Sequence, residues 1–139
     1  MKLTQKQLNQ FNKNGFLIIR KFAEEKLCNE ILEKAKLNKV NKIMCVGYDK
    51  ASSMLAIELA NQYDEIYAAI GLHPSDVKSF DEDLTWVEEN ISHPKVKAIG
   101  EIGLDYYWDR TYVEEQKQAF IKQIELANKH NMPICIHMR

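Results

Sequence analysis

From Lys42 onward the chain repeats one unit, a short apolar run, a turn and an amphipathic stretch, and this rhythm constrains the fold more than any other feature. Ile43-Met44-Cys45-Val46 ends at Gly47, and Leu55, Leu59 and Tyr63 then recur at a spacing of four, one face of a helix. Tyr67-Ala68-Ala69-Ile70 ends at Gly71-Leu72-His73-Pro74, and Leu84, Val87 and Ile91 form the apolar stripe of a second helix. Val96 to Gly100 is the third run. Thr111 and Glu114 are placed to cap a long helix with Phe120, Ile124 and Ala127 inward, and Pro133 to Ile136 is the fourth run. None of the four alternates apolar with polar residues, as strands buried on both faces do not, and helices between them favour parallel pairing. The predicted fold is α/β, a partial TIM-type barrel of four parallel strands. A whole barrel takes about 250 residues, and this sequence has 139.

The first 39 residues have a different pattern. Thr4 and Gln7 make a capping box with Leu3 and Leu8 as staple, predicting a helix from Gln5 to Lys13 that stops at Asn14-Gly15. Phe16-Leu17-Ile18-Ile19 reads as a strand or extended segment, and Leu27, Ile31 and Ala35 share the face of a further helix. Residues 1–42 carry ten basic and four acidic side chains, whereas residues 43–139 carry nine and sixteen. Pattern and charge together predict two parts, 1–39 and 40–139, of separate origin. No apolar run approaches the roughly 18–20 residues that cross a bilayer, and the N-terminus has no signal-type apolar stretch. Cys28, Cys45 and Cys135 are odd in number and unpaired in spacing, the usage of reduced thiols in the cytoplasm.

Chemistry concentrates where strands end. Glu101, flanked by Gly100 and Gly103, closes the third run, and His137 closes the fourth, so both emerge at the rim where α/β barrels place their active sites. A carboxylate there needs a cation or a donor, and either a metal ion or a basic side chain meets that need. Taken alone, His137 is a buried imidazole bonded to backbone or a ligand; paired with Glu101 it suits Zn²⁺, Mn²⁺ or Mg²⁺. Arg139 points the same way along the strand, with a fork that fits phosphate. His73 follows a strand at the same rim, as a substrate contact or as loop structure fixed by Pro74. Asp105, Tyr106, Tyr107 and Trp108 lie just past Glu101 and either stack on bases or pack over the rim. His93 and His130 precede strands and face solvent at the opposite rim.

With those residues in place, the stretch from about Val40 to Arg139 resembles the TatD family of metal-dependent deoxyribonucleases, barrels of the metallo-dependent hydrolase type. The resemblance is carried by Gly71-Leu72-His73-Pro74, by Gly100-Glu101-Ile102-Gly103-Leu104-Asp105-Tyr106, by the helix from Gln116 to Ala127, and by Pro133-Ile134-Cys135-Ile136-His137-Met138-Arg139. It implies that Glu101 is the catalytic, metal-bridging carboxylate after the fourth barrel strand and His137 the ligand after the fifth. It further implies two divalent metal ions (Mg, Mn or Zn), DNA as substrate, and hydrolysis of phosphodiester bonds, mostly exonucleolytic. His73, Tyr106 and Arg139 are then the expected substrate contacts. The sequence departs from the family in front, where a His-x-His metal pair is expected and no histidine precedes His73, and behind, where further strands carry another histidine and an aspartate. Residues 1–37 are weakly similar to the opening of phytanoyl-CoA dioxygenase-like proteins, whose iron ligands lie beyond the matched part. Phe16 to Ile19 is long enough to stand in for a first barrel strand. The rival expectation is a non-catalytic fragment or interaction protein that self-associates or binds a partner chain through the open edges of its sheet.

Overall fold

The computed structural model describes residues 5, 9, 25–78 and 80–139, without the side chains of 25–28 and 31. Within the predicted first helix, Gln5 and Asn9 are helical and their side chains are 3.0 Å apart in a hydrogen bond. The rest of that helix and the run from Phe16 to Ile19 lie outside the described residues. Two compact units divide at Val40 and Asn41. In the first, α1 (Glu25–Leu37) covers the predicted helix and ends where Lys39 takes φ 63° and Val40 N–H donates to Ala35 O at 2.8 Å.

The second unit is the predicted series of strands and helices: β1 (Ile43–Val46), α2 (Lys50–Gln62), β2 (Ile66–Ile70), a 3₁₀ turn (Pro74–Asp76), α3 (Phe80–Asn90), β3 (Val96–Leu104), α4 (Val113–Lys129) and β4 (Ile134–Met138). All neighbours pair in parallel and the sheet order is the chain order, giving a curled half-barrel. The helices cover one face of the sheet, on which Cys45, Ala68, Ile70 and Val96 pack with Ala56, Ala60 and Val87, and Ile99 and Ile102 pack with Ile91 and Ala127.

The α3 stripe of Leu84, Val87 and Ile91 is buried as predicted. In α2 the predicted face is turned away: Leu55 and Leu59 are 43% and 39% exposed, and Ser53, Ala56 and Ala60 are buried instead. Small side chains let α2 lie close against β1 and β2, so the leucines have no room on that side. Asp49 starts α2 with a capping box to Ser52. Thr111 caps nothing; α4 begins after Tyr112 without a side-chain cap, and Thr111 N–H donates to Asp109.

The strands near the site also run further than their apolar cores. β3 continues through Glu101 to Leu104, and β4 extends past His137, so neither residue terminates its strand. Ile99 pairs with Ile134 and Ile102 with Ile136, three residues on β3 against two on β4. The surplus is a bulge holding Gly100 and Glu101, the kind of irregularity that re-aims a side chain. Ile134, Ile136 and Met138 are register partners of the helix-facing Ile99, Ile102 and of Leu104, yet they are exposed, Met138 to 86%.

Candidate metal centre

The centre sits over the C-terminal ends of β2, β3 and β4, and glycines on β3 set how close the strands come. Gly103 has φ +150°, and a Cβ there would collide with the His137 carbonyl; a Cβ on Gly100 would collide with that of Cys135. Only glycine allows β3 and β4 this approach. The turn after β1 fixes the other side: Gly47 O accepts from Glu101 N–H and Tyr48 O accepts from His73 N–H, both at 2.7 Å.

Glu101 and His137 therefore meet. Their Oε1 and Nδ1 atoms are 3.1 Å apart, while His137 Nε2 is 3.0 Å from Asp105 Oδ2. His73 joins them, its ring centroid 4.3 Å from that of His137. Donor atoms of His73, Glu101 and His137 all lie within 4.8 Å of one another, one group of three such donors among the described residues. Ligand bonds of about 2.0–2.2 Å place two donors of a single ion at most about 4.4 Å apart, close to that spacing. All three side chains are half-buried, which limits competition from solvent.

The hydrogen bonds also select which atoms are free to bind. Asp105 is a buried carboxylate whose Oδ1 accepts from Tyr107 N–H at 3.0 Å and whose Oδ2 faces His137 Nε2. With Asp105 accepting from Nε2–H, His137 presents Nδ1 to Glu101. A proton on that nitrogen, or a cation replacing it, satisfies both groups, and the carboxylate–histidine–metal arrangement is a common way to orient a ligand. His73 Nδ1 is 2.7 Å from Ser75 Oγ, which donates to Asp76 Oδ2 at 2.7 Å, so Nε2 is the His73 nitrogen left for a ligand. Burial, with His137 alongside, holds the His73 imidazole below its ordinary pKa and so favours the neutral form that binds metal. Burial pushes the Asp105 carboxyl up, but the Tyr107 N–H, the His137 ring and the Trp108 N–H outweigh it and leave the carboxyl below its ordinary range. Two imidazoles and a carboxylate thus fit a divalent metal ion.

Around the centre, a cleft of about 330 Å³ is lined by His73, Asp105, Trp108, His137 and Arg139. The Arg139 guanidinium lies 4.3 Å from the Tyr107 ring and 5.1 Å from that of Trp108, both rings largely exposed. Tyr106 joins this wall through its backbone, its N–H donating to Arg139 O at 3.0 Å and its O accepting from Arg110 Nε at 2.9 Å. A larger hollow of about 700 Å³, at the opposite ends of the strands around Tyr67, Lys42, Lys95 and Lys97, holds no histidine or carboxylate. The sequence brought Glu101 and His137 to one rim but left the role of Asp105 unread. It also passed over Gln116 and Gln123, buried on α4 seven residues apart, although glutamines recurring on an otherwise apolar helix face are a legible signal.

The sequence profile of the TatD-related DNase family matches residues 11–139. The chain is 49% identical over 111 residues to an uncharacterized metal-dependent hydrolase of Bacillus subtilis, YabD, covering 79% of this chain and 44% of that protein. It is 35% identical over 101 residues to the 3'-5' ssDNA/RNA exonuclease TatD of Escherichia coli K12, covering 72% of this chain and 39% of that one. The crystal structure of YjjV, a TatD homologue from Escherichia coli K12, superposes with a TM-score of 0.74 at 30% identity, over 87% of this chain and 47% of the other. The chain thus spans less than half the length of these relatives. The profile begins at residue 11, inside the stretch with the dioxygenase-like resemblance, and none of these matches supports that resemblance. With four parallel strands, a profile over nearly its whole length and close sequence relatives, the chain belongs to the TatD family.

Proposed function

We propose that this chain supplies the metal-binding core of a phosphodiesterase acting on DNA, with one divalent ion held by His73, Glu101 and His137. The carrying observation is that three consecutive strand–loop units each deliver one donor to a common point within 4.8 Å. A bound ion supplies Lewis-acid polarisation and a water made acidic enough to attack at neutral pH. His73 is thereby assigned to the ion rather than to substrate. Asp105 keeps the His137 ring turned, and Arg139, resting on Tyr107 and Trp108 beside Tyr106, offers its fork to a backbone phosphate. The nucleic-acid substrate is supported by the TatD relatives named as ssDNA/RNA exonucleases. We place the reaction in the cytoplasm, in keeping with the free thiols of Cys45 and Cys135.

Three donors suit one ion where the family resemblance implies two. The chain alone is therefore expected to bind Mn²⁺ or Zn²⁺, yet to release nucleotides from single-stranded DNA no faster than its Glu101→Ala variant. Titration calorimetry and an end-labelled substrate check both. No binding heat would sink the metal assignment, and metal-dependent, Glu101-dependent nucleotide release would sink the one-ion limit. A second reading, a chain that works only when another protein surface joins it, is favoured by exposed Ile134, Ile136 and Met138 on β4. Self-association through that flank predicts a sedimentation coefficient that rises with concentration.

A further inference from the structure

Helix α4 carries two glutamines that are not among the three donors and yet are deeply buried, Gln116 at 3% exposure on the wall of the cleft and Gln123 at 1%. Each spends its amide on the backbone of one residue. Gln123 Oε1 accepts from Leu72 N–H at 2.8 Å and its Nε2–H donates to Leu72 O at 3.1 Å. Gln116 Oε1 accepts from Asp105 N–H and its Nε2–H donates to Asp105 O, both at 3.0 Å. Leu72 immediately precedes His73, and Asp105 is the residue that holds His137. Gly71 leaves the space, because a Cβ there would sit 3.1 Å from Gln123 Oε1.

We propose that Gln116 and Gln123 are positioning residues, and that α4 is a ruler fixing the separation between His73 and the Asp105–His137 pair. Seven residues of helix set the two amides about 10.5 Å apart along a rigid axis. Each clamp replaces, for a loop that leaves the sheet, the two-point hydrogen bonding that a neighbouring strand gives inside it. No other described side chain hydrogen-bonds the Leu72 backbone or the Asp105 backbone, so beside the backbone bonds of His73 N–H to Tyr48 O and of Tyr106 N–H to Arg139 O, α4 supplies the side-chain ties that set how each loop leaves the sheet. An apolar side chain at either position would leave the buried N–H and C=O of Leu72 or Asp105 without these partners, so each glutamine satisfies the backbone of its loop as well as aligning it.

The inference rests on the metal reading above, and the test separates the two. Gln116→Met, Gln123→Met and the isosteric Gln116→Glu and Gln123→Glu, which keep the acceptor and lose the donor, are compared with wild type and with Val87→Ala, a core change on α3. Co²⁺ affinity, the visible Co²⁺ spectrum, melting temperature and the ¹⁵N shifts of the histidine rings are measured. Displaced ligand supports of this kind typically cost 10–100-fold in affinity. The expected result is a loss of at least about tenfold for the Gln variants, with the His137 signals changing in the Gln116 variants and the His73 signals in the Gln123 variants. Val87→Ala is expected to lower the melting temperature and leave affinity and ring signals in place. Affinity within about twofold of wild type in the Gln variants, or an equal loss in Val87→Ala, overturns the proposal. If wild type binds no Co²⁺, the metal reading fails, and the ring signals of the metal-free protein then decide: a selective change upholds the ruler, and none overturns it.

Discussion

Replacing Asp105 by Asn tests how far the centre depends on one carboxylate. Asp105 serves two donors, Tyr107 N–H through Oδ1 and His137 Nε2 through Oδ2, each at 3.0 Å. An amide of the same shape has one oxygen and one NH₂. One of the two donors must then face another donor, in a spot that is 6% exposed. If the amide oxygen stays on Tyr107, its NH₂ meets His137 Nε2 and moves the ring proton to Nδ1, the nitrogen that faces Glu101. If it flips, the chain loses the turn at Tyr107 that carries the aromatic wall. Either rearrangement removes a ligand orientation rather than a ligand, for which a 10–100-fold fall in metal affinity is the expected range. Calorimetry with Mn²⁺ or Zn²⁺ gives the affinity, and two-bond ¹⁵N correlation of the histidine rings gives the tautomer. Affinity within about twofold of wild type, together with a proton still on His137 Nε2, would refute the reasoning.

Three further outcomes follow from the same geometry. Lys95 donates to the carbonyls of Tyr63 and Asp64 at 3.0 Å and of Ile66 at 3.3 Å, tying the end of α2 to β2, so Lys95→Met should lower unfolding stability by about 1–2 kcal/mol in urea titration; an unchanged midpoint would count against this tie. Ile102, fully buried between β3 and the α4 helix, should cost about 2–5 kcal/mol on truncation to Ala, read from the same titrations. In the metal-free protein His73 and Asp105 both hold depressed native values, so the unfolded chain binds more protons and stability falls with pH. The His73 share is complete above about 6.5 and is lost as pH drops through its lowered native value, and the Asp105 share is lost below about 3.8. A His73→Asn variant should lack the first of these losses in urea midpoints measured from pH 7.5 downward.

The strands and helices of the second unit were legible because each strand is a nearly uninterrupted apolar run and because Leu84, Val87 and Ile91 obey a helical spacing; the burial on both faces that such runs suggest does not hold for β1 and β4, where Met44, Val46, Ile134, Ile136 and Met138 are exposed. The choice of stripe on α2 was not legible, since apolar spacing cannot tell a helix that touches the sheet through Ala56 and Ala60 from one that touches it through leucines. The bulge at Gly100 and Glu101 was equally hidden: an extra residue shows only when β3 is laid against β4. Glu101 and His137 stood out because ionisable groups follow apolar residues there. Asp105, Gln116 and Gln123 act through contacts 11 to 51 residues apart, and such pairings exist only once the chain has folded.

Because the order of strands in the sheet is their order in the chain, each new strand docks on one already made. During synthesis His73 comes first, Glu101 next and His137 last, and the carbonyls of Gly47 and Tyr48 that anchor the first two are made before either. These donors are thus made in chain order, and the last of the three arrives with β4. A growing chain that has reached β3 already holds two donors; the Leu72 loop then waits on α4, and the Asp105 loop on α4 and on β4, whose Arg139 carbonyl takes the Tyr106 N–H. Metal affinity gained at β4 would pull that last pairing forward, making the ion a latch on the growing edge of the sheet as well as a reagent.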